Sequence, residues 1–390
     1  MLTVLPRTTQ LLLSDISDRY DADVKSVQTH PSLHRRLDDL LARHRSTPNA
    51  PSVALSIESL DSQFRWHGGG GPANAAEPNG IAPTSPYFAA SITKLYVAIV
   101  VMQLRAEGRV CLDTPLVDVV PHDLSRLHVL DGADHTASMT VGQALSHTTG
   151  LPNYLEDTPR RGRSLLDEAL VADRSWGVPE VIERSREILR PQFAPGAGRR
   201  AHYSDTNYQL LGAAIEHITD GSLDTAIRTR ISDTVGLPET RLFDGTRHDI
   251  DTISTLFHGD RPLRHPLLMT SVGADGGIVT SAEDSMTLLR SWLGGRLVSP
   301  DDVALMQATW RRIFRPFRYG LGVMQFRLPR MLTGMRPMEM IGHSGASGAL
   351  MFVAPSQRLL VTGTVNQLKS RSEPFKLALQ LLTTVAAELD

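Results

Sequence analysis

Ser91 and Lys94, in the run Phe88-Ala-Ala-Ser91-Ile-Thr-Lys94, stand three residues apart. One helical turn therefore puts a hydroxyl and an amine on the same face. From Ile92 to Leu104 nearly every position is apolar, the pattern of a helix enclosed by protein, and Gly108 after Glu107 supplies a stop. Ser91 falls near the amino end, where backbone N–H groups lack helical acceptors. An ammonium enclosed by apolar side chains is costly, so the expected response is a lowered Lys94 pKa. A neutral amine can take the serine proton, which is nucleophilic catalysis of the Ser-Lys kind. The same spacing also fits an N-cap serine followed by a snorkelling lysine, so the pair needs support from the rest of the chain.

Two further polar groupings supply it: Tyr203-Ser-Asp205-Thr-Asn-Tyr208, opening a helix, and Gly342-His343-Ser-Gly345-Ala346-Ser-Gly348, entering a strand. A phenol of lowered pKa beside a lysine ammonium can serve as base toward serine and then as acid toward the leaving group, a role that suits Tyr203. A small, glycine-flanked strand leaves a backbone N–H open, so the Ala346 and Ser91 amides form a candidate oxyanion hole. His147, in Ser-His-Thr-Thr-Gly, reads as structural. No G-x-S-x-G, H-E-x-x-H or H-x-H-x-D occurs, so neither an α/β-hydrolase elbow nor a metal site is expected, and no cofactor is implied.

These residues belong to a chain of 390, long enough for two domains, with ordinary apolar (41%) and charged (21%) fractions. A net charge of −2 gives no reason to expect nucleic-acid or membrane partners, and the serine chemistry above calls for a small-molecule ester or amide substrate. Oligomeric state is not legible. Cys111 is the only cysteine, which excludes an intrachain disulfide and thiol metal clusters. Arginine outnumbers lysine 36 to 4, so Lys94 is not one of many. The amino terminus lacks the pattern of a secretory signal and no run of about 18 apolar residues exists, so a cytoplasmic location is expected.

The elements that must position the chemistry follow in order. Residues 1–30 read as an extension. An amphipathic helix from Ser32 carries Leu33, Leu37, Leu40 and Leu41 on one face, and Ser52–Ile57 with Gln63–His67 read as a hairpin. Gly68–Gly71 and the Pro- and Asn-rich run after it read as a loop. From Ser91 to about Thr252 the patterns are helical or irregular. Strand signals return at Gly277–Thr280, Tyr319–Phe326, Ala349–Val353 and Leu359–Val365, and a helix over Glu373–Leu389 ends the chain. The expected class is α+β with two domains: an antiparallel sheet flanked by helices and built from both ends (31–85 and 271–390), and an inserted all-helical domain (86–270), with the site in the cleft between.

Ser91-x-x-Lys94, Tyr203-x-Asp205 and His343-x-Gly345, in that order, resemble the serine β-lactamase and penicillin-binding-protein superfamily. The branch resembled is the class C-like one with the DD-peptidases and family VIII carboxylesterases. Leu145-Ser-His-Thr-Thr-Gly-Leu-Pro152, Gly276–Asp284 and Tyr319-Gly-Leu-Gly322 extend the likeness over roughly residues 32–385. The resemblance implies Ser91 as acylated nucleophile, Lys94 as its proton partner, Tyr203 as general base, and Asp205, His343 and Gly345 as substrate-binding positions, with His343 a partly cationic group on the cleft wall where many relatives have lysine. Asp205 stands where many relatives carry Asn. A carboxylate only accepts hydrogen bonds and would pair with Lys94, which weakens recognition of an amide carbonyl and leaves ester cleavage untouched. The expected activity is a cofactor-free serine hydrolase acting on small carboxylic esters, with acyl transfer open to it. A β-lactam or D-alanyl peptide substrate is the alternative, and a silent binding relative the alternative of another kind. One arginine of the Arg- and Met-rich 311–340 segment is a candidate grip on a substrate carboxylate.

Overall fold

The computed structural model describes residues 30–47, 50–74, 80–198, 200–328 and 338–389; the expected extension at 1–30 lies almost wholly outside them. The elements used below are helices α1 (Pro31–Arg45), α2 (Thr93–Ala106), α3 (Asp205–Thr219), α4 (Ala282–Leu293) and α5 (Glu373–Leu389), and strands β1 (Val53–Ser59), β2 (Arg65–Gly70), β3 (Arg311–Phe314), β4 (Phe317–Tyr319), β5 (Met324–Leu328), β6 (Met338–Ser344), β7 (Ala349–Ala354) and β8 (Leu359–Thr364).

The eight strands make one antiparallel sheet in the order β3-β4-β5-β6-β7-β8-β1-β2, so the amino-terminal hairpin docks beside the last strand of the chain. β7 is apolar without interruption, and β1 and β8 are buried at every position, because both faces are covered. Along β7, Leu350, Phe352 and Ala354 pack with Leu33, Leu37, Leu377 and Leu381 of α1 and α5, whereas Ala349, Met351 and Val353 join the core that holds Leu288, Leu289 and Trp292 of α4. The fold is the expected antiparallel sheet flanked by helices, accompanied by a mainly helical region.

Two strand expectations change. Gly68, Gly69 and Gly70 are not loop but the end of β2, paired with Leu55, Ala54 and Val53. Backbone hydrogen bonds make a strand without side chains, and Trp66 and Arg45 fill the space that side chains there would need. Ile278–Thr280 is a strand, but of a separate small sheet with Tyr87–Phe88 and Arg241–Leu242. That small sheet fixes the approach to Ser91: Ala89 N–H donates to Ile278 O (2.8 Å) immediately before the turn that carries it.

Candidate active site

Ser91 lies in a 3₁₀ turn, Ala90–Ile92, that runs directly into α2. Ala90, just before it, has φ 47, the left-handed region that non-glycine residues seldom occupy, and so marks a backbone held for a purpose. Helix α2 is buried on all sides, as its composition requires, and its first turn aims Lys94 at Ser91: Nζ donates to Ser91 Oγ at 3.1 Å. Helix α3 packs against α2 with its amino terminus at the same end, which brings Asp205 to Lys94. The two form an ion pair, Nζ to Oδ1 2.7 Å, with the lysine side chain fully enclosed and the carboxylate 7% exposed. A third oxygen, the main-chain carbonyl of Asp275, accepts from Nζ at 2.6 Å.

This environment reverses the expected lysine shift. Burial is the largest single influence and disfavours the ammonium, but Asp205, Tyr203 and Asp275 together outweigh it and hold Lys94 above its ordinary range. Tyr203 also departs from expectation. It lies beside Ser91 and Lys94, both of which act on its ionisation, and its ring centroid is 5.1 Å from Nζ. Burial nonetheless pushes it up to about 12: Lys94 favours the phenolate, and Asp205 works against that help. Serine hydroxyl, lysine ammonium and tyrosine phenol are therefore the resting forms at neutral pH.

Tyr203 is carried by the Leu145–Pro152 loop. His147 packs beneath its ring (centroids 4.4 Å apart), and His147 Nδ1 accepts from Ser204 N–H at 3.2 Å. Burial, then Lys94, holds His147 neutral, well below the ordinary histidine range. The Gly320-Leu-Gly322 turn between β4 and β5 closes against α2. Gly322 has φ 74, and a side chain there would strike Ala98 (Cβ to Cβ 2.0 Å).

Gly345 and Ala346 face the nucleophile from the end of β6. The wall is stitched to the Ser91 turn by Ser347 Oγ donating to Phe88 O (2.6 Å), and a Cβ on Gly345 would lie 2.1 Å from Ala89 O. Only glycine lets the strand come this close. Ser91, Gly345 and Ala346 all line one cavity, and no acceptor for the Ala346 N–H is found among the described residues.

His343 is a correction. It is completely buried behind the wall and does not line the cavity. Nδ1 donates to Ser344 O (2.8 Å) and Nε2 meets the Tyr319 hydroxyl (2.9 Å), so both ring nitrogens are used. Burial, with Lys94 adding to it, takes its pKa down to about 3. The imidazole is a neutral support for β6, not a partly cationic contact for substrate. Asp205 does line the cavity, but with one oxygen on Lys94 and the other accepting from Asn153 Nδ2 at 3.1 Å.

The cavity holds about 220 Å³ and is mostly apolar. Leu155, Leu166, Leu256, Leu263, Leu268 and Met269 form one side; Phe314, Phe317, Met324 and Phe375 form the other. The 311–340 segment thus contributes rings. Arg311, Arg312, Arg315, Arg318 and Arg327 do not reach the cavity, and Arg330 and Arg336 lie outside the described residues. The arginine that does line it is Arg371, paired with Glu156 at 2.5 Å. Among the described residues no cluster of three or more His, Cys, Asp or Glu side chains is placed to hold a metal ion.

The beta-lactamase family model matches residues 37–384. The chain belongs to that family. Penicillin-binding protein 4 of Amycolatopsis lactamdurans is 26% identical over 344 residues, 82% of this chain and 80% of its own length. Protein flp of Staphylococcus aureus (strain N315) is 28% identical over 141 residues, 36% of this chain and only 25% of that protein. Among solved structures, D-amino acid amidase from Ochrobactrum anthropi SV3 superposes with a TM-score of 0.73 at 20% identity, covering 92% of this chain and 98% of its own. EstCE1, a hydrolase with promiscuous acyltransferase activity, gives 0.72 at 17%, covering 91% and 98%. At these identities the superpositions speak to fold alone. Together the findings make the protein a hydrolase of the serine β-lactamase and penicillin-binding-protein type.

The sequence reading did not single out Asp275, whose side chain accepts from Tyr154 Oη and Gln209 Nε2, both at 2.9 Å. Burial, then the Asp205 charge, raises it well above the usual carboxylate range, with Lys94 opposing that rise. Its signal was an acid inside the glycine run Gly273-Ala-Asp-Gly-Gly277. Arg371, Glu156 and Phe375 carried no signal, being distant in sequence and unremarkable in type.

Proposed function

We propose that this family member is a serine hydrolase that forms an acyl-enzyme on Ser91 and cleaves small carboxylic esters with apolar substituents. The observation that carries the reading is that Ser91 and Tyr203 line a mostly apolar cavity with the buried Lys94 amine directly behind Ser91. Ser91 Oγ attacks the ester carbonyl, Tyr203 takes the proton and returns it to the departing alkoxide, and Lys94 stabilises both oxyanions with its fixed charge. The Ser91 and Ala346 amides hold the tetrahedral oxygen. Water, or an alcohol or amine acceptor, then releases the acyl group by the same route in reverse.

Two features favour an ester over an amide. Asp205 cannot donate to an acyl-amide carbonyl, and the cavity's one guanidinium is already neutralised by Glu156. The kinship with a penicillin-binding protein and the amidase-like fold support the second reading, a β-lactam or D-aminoacyl amide or peptide, whose acyl-enzyme chemistry is the same. Turnover of p-nitrophenyl acetate, nitrocefin and a D-alanyl-D-alanine peptide, run side by side, separates them. Ser91→Ala should lower p-nitrophenyl acetate turnover by about 10⁴-fold and abolish the mass adduct formed with a fluorophosphonate. A variant within tenfold of the native protein would overturn the reading.

A further inference from the structure

Glu156 and Arg371 meet from opposite walls of the cavity. Glu156 follows Leu155 on the aliphatic side, and Arg371 lies in the segment that joins β8 to α5, just before Phe375 on the aromatic side. All four residues line the cavity, and guanidinium and carboxylate close on each other at 2.5 Å. Their side chains are 56% and 33% exposed, so the pair spans the cavity where it opens to solvent.

One end of this bridge is fixed and the other is not. Leu155 N–H and Glu156 N–H both donate to Asn153 Oδ1 (3.0 and 3.3 Å), and Asn153 Nδ2 donates to Asp205 at 3.1 Å, so the backbone that carries Glu156 is tied to the site itself. Among the described residues the Arg371 guanidinium has no hydrogen-bond partner except Glu156. The acid is a post and the long arginine side chain a movable arm. An ion pair this exposed holds its partners weakly and is screened by salt, so it can part without cost to the fold.

The size of the enclosed space gives the bridge a consequence. The cavity holds about 220 Å³, less than the roughly 300–1,000 Å³ usual for pockets that enclose a drug-sized ligand. A small ester fits beneath the closed bridge, whereas a long chain needs the mouth open. We propose that the Glu156–Arg371 pair is a size-selecting gate: joined, it admits small esters, and longer ones reach Ser91 only when Arg371 swings away from Glu156. This rests on the hydrolase reading above, through which the gate is observed.

The gate acts on which ester arrives, so its effect falls on the ratio of kcat/KM for p-nitrophenyl octanoate to that for p-nitrophenyl acetate. The Arg371 charge also interacts with Asp205 and Tyr203. The ratio cancels that influence, because both esters share one leaving group and one set of catalytic side chains. Arg371→Met, which keeps the length of the arm and removes its charge, should raise the ratio about two- to fivefold, the range open to an exposed ion pair. Raising sodium chloride from about 20 to about 500 mM should raise the native ratio and leave that of Arg371→Met level. The double variant Glu156→Arg with Arg371→Glu, which rebuilds the bridge with its ends exchanged, should bring the ratio back toward the native value. An unchanged ratio in Arg371→Met, the same salt response in both proteins, or a raised ratio that persists in the exchanged pair would overturn the proposal. Absence of Ser91 labelling by a fluorophosphonate in the native protein would instead overturn the hydrolase reading itself.

Discussion

Gly345→Ala isolates the wall of the site from its catalytic side chains. The new Cβ would lie 2.1 Å from Ala89 O and 3.1 Å from Ala90 Cβ. Ordinary non-bonded heavy-atom contacts begin near 3.5 Å, so the strand end or the nucleophile turn must withdraw by roughly 1 Å. Neither side yields freely. Gly345 N–H is committed to Ala349 O (2.9 Å), Ser347 ties the wall to Phe88 O, and Ala89 N–H is bonded to Ile278 O. The Ala346 amide, one residue on, moves with the wall. Misplacing a catalytic contact by about 1 Å costs on the order of 100-fold, and losing one oxyanion donor about 10²–10³-fold in kcat. We expect kcat for p-nitrophenyl acetate to fall at least about 100-fold with KM little changed, because the apolar walls are untouched. Overpacking also costs about 1–3 kcal/mol of stability, so the assay is run well below the midpoint of a thermal melt on the same sample. A folded variant within about threefold of native kcat would refute the claim that the wall supplies a transition-state contact.

Phe314 stands 51% exposed at the cavity mouth, with its ring 6.5 Å from that of Tyr203 and 5.1 Å from that of Phe317. Phe314→Ala should raise KM severalfold for p-nitrophenyl esters of long-chain acids and leave p-nitrophenyl acetate nearly unaffected; an equal effect on both would remove the ring from substrate contact. His343 and His147 are held neutral in the folded chain, so the unfolded chain binds more protons than the folded one from about pH 6.5 downward. Stability should therefore fall with acidification by about 1.4 kcal/mol per pH unit for each imidazole. For His343 the window closes near its folded value of about 3. His343→Gln should make the slope of urea-unfolding stability against pH shallower by one proton's worth between pH 6 and 5, and an unchanged slope would mean that His343 is not buried neutral.

Much of the fold was legible because its causes are local. Leu33, Leu37 and Leu41 repeat at helical spacing and are buried along α1; Val53–Ser59 and Arg65–Gly70 pair as the hairpin that their alternation implied; α5 occupies the span its apolar stripe marked. The failures occurred where tertiary pairing decides. A glycine run without side-chain pattern gave no hint that β1 would claim it, and Ile278–Thr280 looked like any other strand although its partners are two short segments nearly 40 and 200 residues away.

The chemistry was legible by type and misread in charge, and the two outcomes share a cause. Spacing showed that Ser91 and Lys94 occupy one helical face, but a pKa belongs to a surrounding that the helix does not contain. Treated alone, a buried lysine should lose its proton. In the fold, α3 delivers the Asp205 carboxylate from 111 residues downstream, its charge outweighs burial with help from neighbouring groups, and the glycine run adds a carbonyl that accepts from Nζ. The error over Tyr203 is of the same kind: burial of the phenol outweighs the help of the Lys94 ammonium, and the Asp205 charge opposes that help further. His343 was misplaced for a related reason, since residues alternating along β6 put Ser344 toward the cavity and the imidazole behind it, in reach of Tyr319. The Asp205 carboxylate, 2.7 Å from Lys94 Nζ, is thus the contact that the Ser91–Lys94 helix could not disclose by itself, and it sets the lysine's charge against the pull of burial.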